Sequence, residues 1–425
     1  MTDSAAAPAP AQTPTLQLPP GYPEHTNATR LYGPQITGDT NELYTRIRQE
    51  HGPVAPVLLD GDIPAWFVLG YREIQHVTSN SQLFARDCRR WNLWDHIPSD
   101  WPLLPYVGWT PSVMFAEGEE HRRRAGALGD ALDALDRAEL VTICNEIAEE
   151  LVETFAEDGT AELISQYAHQ IPAYVVARIF GLPKSDIPQL VRDVLDSLDT
   201  AEGAAAAHQR VHDRLHQLVA DRQQRRRRDV PSRLLDHPAG LTFDEIVIDL
   251  LVVMAAAQAP TGNWIGNTLR LMFTDDTFST TVQGGRSSAT EALNEVLWKQ
   301  TPTQNFIGRW ATQRCELAGR RIQAGDLLVL GFAAANTDPQ VQPGQPTGSG
   351  ENRAQMSFGG GEHGCPFPAP ELARIIATSA IEVLLDHLPD VELSVAEDEL
   401  EWRPSVWMRG LFELPVQFTP APPTT

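Results

Sequence analysis

The chain has 425 residues, of which 33 are Lys or Arg and 56 are Asp or Glu, giving a formal net charge of −23. That balance argues against nucleic acid as a partner, because binding to phosphate backbones needs a basic surface. Hydrophobic residues make up 42%, ordinary for a chain with a sizeable core. The longest apolar candidate, Ile246 to Ala257, is short and carries Asp249, so no membrane anchor is expected and the expected location is the cytoplasm. Cys88, Cys144, Cys315 and Cys365 are scattered without a Cys-x-x-Cys pair, which argues against a zinc site or a disulfide framework.

Residues 1–20 are rich in Ala, Pro and Thr and lack the basic and apolar regions of a signal peptide; a disordered tail is expected. Ala55 to Leu69 reads as a hairpin turning near Asp60-Gly61, and Tyr71 to Ser79 as a helix. Arg86 to Met114 is loop-like and holds Trp91, Trp94, Trp101, Tyr106 and Trp109. A loop this long is usually functional, though aromatic packing explains the same residues. From Glu119 to Gln300 helix follows helix, with breaks at Gly159, Gly181-Leu-Pro183, Pro231 and Pro238. The basic run Arg222 to Arg228 follows the helical pattern Ala207 to Asp221 and reads as a solvated helix end. Leu250 to Met272 reads as a long helix interrupted by Pro260, which removes a helix hydrogen bond and predicts a kink. Short strands recur after Pro302, around Arg320 to Leu330.

The most informative stretch is Phe358-Gly-Gly-Gly-Glu-His-Gly-Cys365, followed from Glu371 by apolar residues at helical spacing. A thiol between a glycine loop and a helix N-terminus is placed to exist as a thiolate. A thiolate is the axial ligand that haem iron needs when O–O cleavage is favoured, and the glycines let the backbone pass close under a flat macrocycle. Taken alone, the string equally fits a glycine turn before a helix with a buried structural cysteine.

The string Phe358-x-x-Gly361-x-His363-x-Cys365, near the end of a chain of this length, resembles the cysteine-ligand loop of the cytochrome P450 family. The resemblance spans about residue 20 to 420. It implies one haem-binding domain over residues 21–425, mainly α with a smaller β part, holding haem b with Cys365 as the iron ligand. It also implies roles for Phe358 and Gly361 in shaping the haem loop. His121, in Glu119-Glu-His121-Arg-Arg-Arg124, matches a helix whose His and an Arg four residues on pair with the haem propionates. Those groups are anionic and need cationic partners when buried. Here the fourth position is Ala125, and the candidate to substitute for the arginine is Arg124, which points about 100° away on a helix. Arg309, in Thr303-Gln-Asn-Phe-Ile-Gly-Arg309-Trp310, and His363 are the other propionate partners implied. Trp91 to Trp109, Ile171 to Leu182 and Ala255 to Thr261 are expected to line the distal pocket.

Three motifs depart from the family. Glu-x-x-Arg is replaced by Glu295-Val-Leu-Trp298, similar to actinobacterial members with the same change. The third member of that set is Arg353, so Glu295 is expected to pair with Arg353 directly and Trp298 to stack on it. The distal Ala-Gly-x-Asp/Glu-Thr becomes Ala256-Ala-Gln258-Ala259-Pro260, which puts Ala in the acid slot and Pro in the alcohol slot. Thr261 and Gln258 are the nearest polar side chains; each is as compatible with packing or capping as with proton delivery. Cys365 is followed by Pro-Phe-Pro-Ala-Pro, with no glycine two residues on, and Pro366 has no N–H for the sulfur.

The resemblance implies a monooxygenase. Ferredoxin and ferredoxin reductase would supply electrons, and one oxygen atom of O2 would enter a small hydrophobic substrate. A second reading is a haem-thiolate protein of the same fold that uses peroxide, or binds a ligand or partner without turnover.

Overall fold

A computed structural model describes residues 22–197, 203–275, 278, 287–341 and 354–421; the N-terminal tail read above lies outside them. Strand β1 (Thr29–Arg30) precedes helix α1 (Thr40–His51), which Asp39 caps by accepting from the Asn41 N–H. Strands β2 (Val54–Leu59) and β3 (Ile63–Val68) follow. They form the expected hairpin, with Gly61 at φ +72° supplying the turn. Both strands are buried along their whole length, which explains an apolar run where a one-sided strand would alternate. Helix α2 (Tyr71–Ser79) matches the sequence reading residue for residue. Strand β4 (Phe84–Ala85) leads into Arg86 to Met114, which holds single 3-10 turns and one short helix, α3 (Leu104–Val107).

The helical half comprises α4 (Gly118–Asp133), α5 (Arg137–Glu153), α6 (Gln170–Ile179), α7 (Ile187–Ser197), α8 (Ala204–Gln224), α9 (Val230–Asp236) and α10 (Phe243–Thr274). It continues with α11 (Ser287–Lys299), α12 (Phe332–Asn336) and α13 (Ala369–His387). Between α5 and α6 lie strand β5 (Thr160–Glu162) and a π-turn at Ile164–Ala168, neither of which the periodicity shows. Pro231 does not end a helix. It sits in the first turn of α9 behind the Asp229 cap, where a missing N–H costs nothing. Arg222 corrects the solvated reading of the basic run. It is buried, donates to Asp229 at 2.5 Å and to the Gly181 carbonyl at 2.7 Å, and so joins α8 to the turn after α6.

Helix α10 opens with a reciprocal capping box between Thr242 and Glu245. The helix runs on through Pro260, so the proline does not break it. Along it Leu250, Met254, Ile265 and Leu269 join the main core with α5, α6 and α13. The remaining strands are β6 (Phe306–Ala311), β7 (Cys315–Leu317), β8 (Arg320–Ile322), β9 (Leu327–Leu330), β10 (Glu392–Leu393) and β11 (Pro415–Gln417). One sheet has six strands in the order β1-β2-β3-β9-β6-β4, another has β10-β11-β5, and β7 pairs with β8. Among the described residues, no helix is long and apolar enough to cross a membrane.

Candidate functional site: the cysteine loop and a cationic cluster

The loop from Met356 to Cys365 is closed by its own backbone. The Gly359 N–H donates to the Met356 carbonyl at 2.8 Å, and the Cys365 N–H to the Phe358 carbonyl at 2.8 Å. Gly361 has φ +69°, and a Cβ there would lie 1.9 Å from the Thr78 carbonyl oxygen. Only glycine lets the loop lie this close to the end of α2. The loop's start is held by two residues that sequence reading passed over. Asn336 accepts from the Met356 N–H at 2.7 Å and donates to the Leu297 carbonyl at 2.9 Å; the Ser357 hydroxyl donates to the same carbonyl at 2.7 Å. Leu297 lies in the last turn of α11, whose carbonyls have no partner inside the helix. Arg353 lies outside the described residues, and with it the expected contacts to Glu295 and Trp298. Glu295 itself pairs with Lys299 one turn on, and Trp298 is buried.

Cys365 keeps solvent access, yet the protein packed around it raises its thiol to about 11 by desolvation. The expected thiolate stabilisation by the helix end does not dominate. Helix α13 starts only at Ala369, after Pro366-Phe-Pro368, and the Cys365 N–H is spent on Phe358. At neutral pH the free side chain is therefore a thiol, and metal binding would displace its proton.

Four cation-forming side chains from four separate places in the chain meet here, His363 of the loop itself among them. His121 comes from the first turns of α4, and its ring centroid lies 4.0 Å from that of His363. Arg309 is aimed by a β-bulge: Ile307 pairs with Val329 and Arg309 with Leu328, leaving Gly308 unmatched between them. The fourth is Arg86, at the end of β4, which sequence reading treated only as the start of a loop. It is buried and donates to the Met114 carbonyl at 3.1 Å and the Gly308 carbonyl at 2.9 Å. Burial lowers the His121 pKa and, with His121 and both arginines adding to it, takes His363 down to about 2. The two imidazoles are thus neutral at pH 7. Burial lowers Arg86 to about 10 and Arg309 to about 9, so both remain guanidinium ions. The Nε of Arg309 and the Nδ1 of His121 are buried without a hydrogen-bond partner. With two guanidinium ions beside them, these unsatisfied atoms are placed to receive an anionic ligand, the His121 nitrogen as a donor in the tautomer protonated at Nδ1.

Other expected residues lie elsewhere. Arg124 does not join the cluster; it is paired with Asp249 of α10 through contacts of 2.9 and 2.6 Å. Gln258 is buried and donates to the His169 carbonyl at 3.0 Å, a packing role between α10 and the start of α6. Thr261 is buried on the same helix, whereas Ala255 and Ala256 are exposed. Trp91, Trp94 and Trp101 pack on one another and on the six-stranded sheet, and the Trp109 ring lies exposed under Arg89. Most of Ile171 to Leu182 is buried in the helical core.

These residues fit haem. Two buried guanidinium ions, with the Nε of one of them and the neighbouring His121 Nδ1 unsatisfied, suit a pair of carboxylates. Glycines 359–361 allow a close backbone approach, and Cys365 offers one soft ligand. No family model matches the chain. Among curated proteins, it is 30% identical over 285 residues to the polyketide biosynthesis cytochrome P450 PksS of Bacillus subtilis, covering 64% of this chain and 69% of PksS. It is 26% identical to the vitamin D(3) 25-hydroxylase of Pseudonocardia autotrophica, covering 92% of this chain and 96% of that one. The solved structure of PksS superposes with a TM-score of 0.79 at 24% identity, over 91% of this chain and 99% of that one. A testosterone-bound P450 of a Streptomyces species superposes with a TM-score of 0.80 at 24% identity, over 92% and 98%.

Proposed function

The chain belongs to the cytochrome P450 family, a family of haem b monooxygenases, and from that premise we propose that it inserts one oxygen atom of O2 into a small apolar organic substrate, with a ferredoxin and ferredoxin reductase supplying electrons. The observation that carries this reading is the cationic cluster against the Cys365 loop, in which the Arg309 Nε and the His121 Nδ1 are left unsatisfied. Haem b supplies the dioxygen activation when bound. In this reading Cys365 ligates the iron and gives up its thiol proton, while His121, His363 and Arg309 hold the propionates. Phe358 and Gly361 shape the loop, and the Asn336–Ser357–Leu297 contacts fix its start, supporting the role that Glu295, Trp298 and Arg353 would share.

Proton delivery has to be arranged differently from the family pattern. Gln258 is spent on the His169 carbonyl. Pro260 has no N–H, so the Ala256 carbonyl one turn earlier lacks its helical donor and is free to accept from water. That carbonyl and the Thr261 hydroxyl are the groups we assign to a water relay. The same replacement of acid and alcohol by Ala259 and Pro260 favours a second reading, peroxide use or ligand binding without turnover.

The deciding experiment is the absorption spectrum of the dithionite-reduced protein under carbon monoxide. A strongly red-shifted Soret band that disappears in Cys365→Ser supports the assignment; an unchanged spectrum in the variant refutes it. Turnover supported by ferredoxin rather than by peroxide then separates the two readings.

A further inference from the structure

In the resembled family the helix carrying His121 supplies a second cation one turn on, at the position that is Ala125 here. The neighbouring Arg124 is unable to stand in, being committed to Asp249. Helix α4 thus brings His121 to the cluster, while its Arg122 is an exposed side chain paired with Glu362 of the loop. The missing charge arrives from another element. Strand β4 pairs with β6, Ala85 opposite Trp310, which sets Arg86 beside the Gly308 bulge. One carbonyl, that of Gly308, accepts from Arg86 Nη1 at 2.9 Å and from Arg309 Nη1 at 2.8 Å. A Cβ at 308 would lie 2.7 Å from Arg86 Nη1 and 2.8 Å from the Phe306 ring, so glycine is what admits the second guanidinium. The Phe306 and Phe115 rings flank Arg86, 4.9 and 5.5 Å from its Cζ. The side chain is thus fixed by both rings and by two carbonyls.

The Glu117 carboxylate faces both guanidinium ions, but it also accepts from the Arg86 and Asp87 N–H groups and pairs with Arg90; one shared carboxylate against two buried like charges on one carbonyl leaves a place for further anions. We propose that Arg86 is a positioning residue for the haem propionates, replacing the arginine that α4 lacks. This rests on the haem-thiolate reading above.

The test uses full-length holoprotein: wild type, Arg86→Gln, Arg86→Lys, and the double variant Arg86→Gln/Ala125→Arg, which restores the family's helix arginine. The readouts are the carbon monoxide spectrum, the rate of haem transfer to apomyoglobin, and the ferric/ferrous midpoint potential. Arg86→Gln should retain the red-shifted carbonyl band but lose haem roughly tenfold faster or more, the effect of one charged hydrogen bond. Its potential should fall, because removing a nearby positive charge favours the ferric state. Arg86→Lys should stay closer to wild type in potential, and the double variant should regain both retention and potential. Unchanged retention and potential in Arg86→Gln would overturn the proposal. So would a loss that Ala125→Arg leaves unrepaired, since that would make Arg86 a prop for Met114 and nothing more. If Arg86→Gln holds no haem, the comparison of the double variant with Arg86→Lys decides in the same way. Lack of the red-shifted band in the wild type would instead refute the haem-thiolate reading.

Discussion

Asp249→Asn separates the structure's account of Arg124 from the propionate role it was a candidate for. The Arg124 and Asp249 side chains are 2% and 0% exposed and meet through two hydrogen bonds; Asp249 also accepts from the Val113 N–H at 2.8 Å. Burial raises the Asp249 carboxyl above its ordinary range, and Arg124 draws it back down. Neutralising the aspartate leaves a buried guanidinium whose remaining acid partner is Glu120, itself largely exposed. Breaking a buried pair from one side costs about 3–5 kcal/mol. Unfolding entropy of ~2.1 cal/mol/K per residue, taken over 425 residues, gives ~0.9 kcal/mol per degree. The midpoint should therefore drop by about 3–6 °C. The assay is thermal unfolding of wild type, Asp249→Asn, Arg124→Met and the double variant, with haem content measured alongside. Coupling between the two sites with haem content preserved in folded protein is expected. Additive effects, or haem loss from Arg124→Met without a drop in midpoint, would refute the pairing as the main role of Arg124.

Two further outcomes follow from single residues. Gly361→Ala should abolish the thiolate carbonyl spectrum and lower stability, since it adds positive-φ strain of roughly 1–3 kcal/mol to a contact of 1.9 Å with Thr78. Gly360→Ala meets Thr78 Oγ1 only at 3.3 Å and should be mild; equal effects would show that the loop is not pressed against α2. His169 is buried, hydrogen-bonds Asn263 at 3.0 Å, and has its pKa lowered from 6.5 to about 4, chiefly by desolvation. Because the folded value is the lower one, the unfolded chain gains a proton between pH 7 and 5 that the native chain refuses, so stability falls as pH falls. The loss works out at about 2 kcal/mol. Urea midpoints at the two pH values should show it in wild type and not in His169→Gln; identical pH slopes would rule it out.

Local chemistry in the sequence was enough to mark the cysteine loop, the hairpin turn at Asp60-Gly61, the limits of α2 and the predominance of helix after residue 118. Each depends on residues within a few positions of one another: a glycine for a positive φ, an apolar repeat for a buried face. His121, Arg309 and His363 were legible only through resemblance to a family pattern, and the meeting of the first two with His363 of the cysteine loop is a tertiary fact. The rest was decided in three dimensions. Arg86 reaches the cluster because β4 pairs with a strand more than two hundred residues later and that strand bulges at Gly308. Arg124 turns away because Asp249 offers a charge in a place without water. Gln258 is claimed by the His169 carbonyl, and the loop's support passes through Asn336 and Ser357 to Leu297. A buried polar atom must find a partner wherever the fold supplies one. Which partner that is depends on the packing of distant segments, which no spacing within the chain displays.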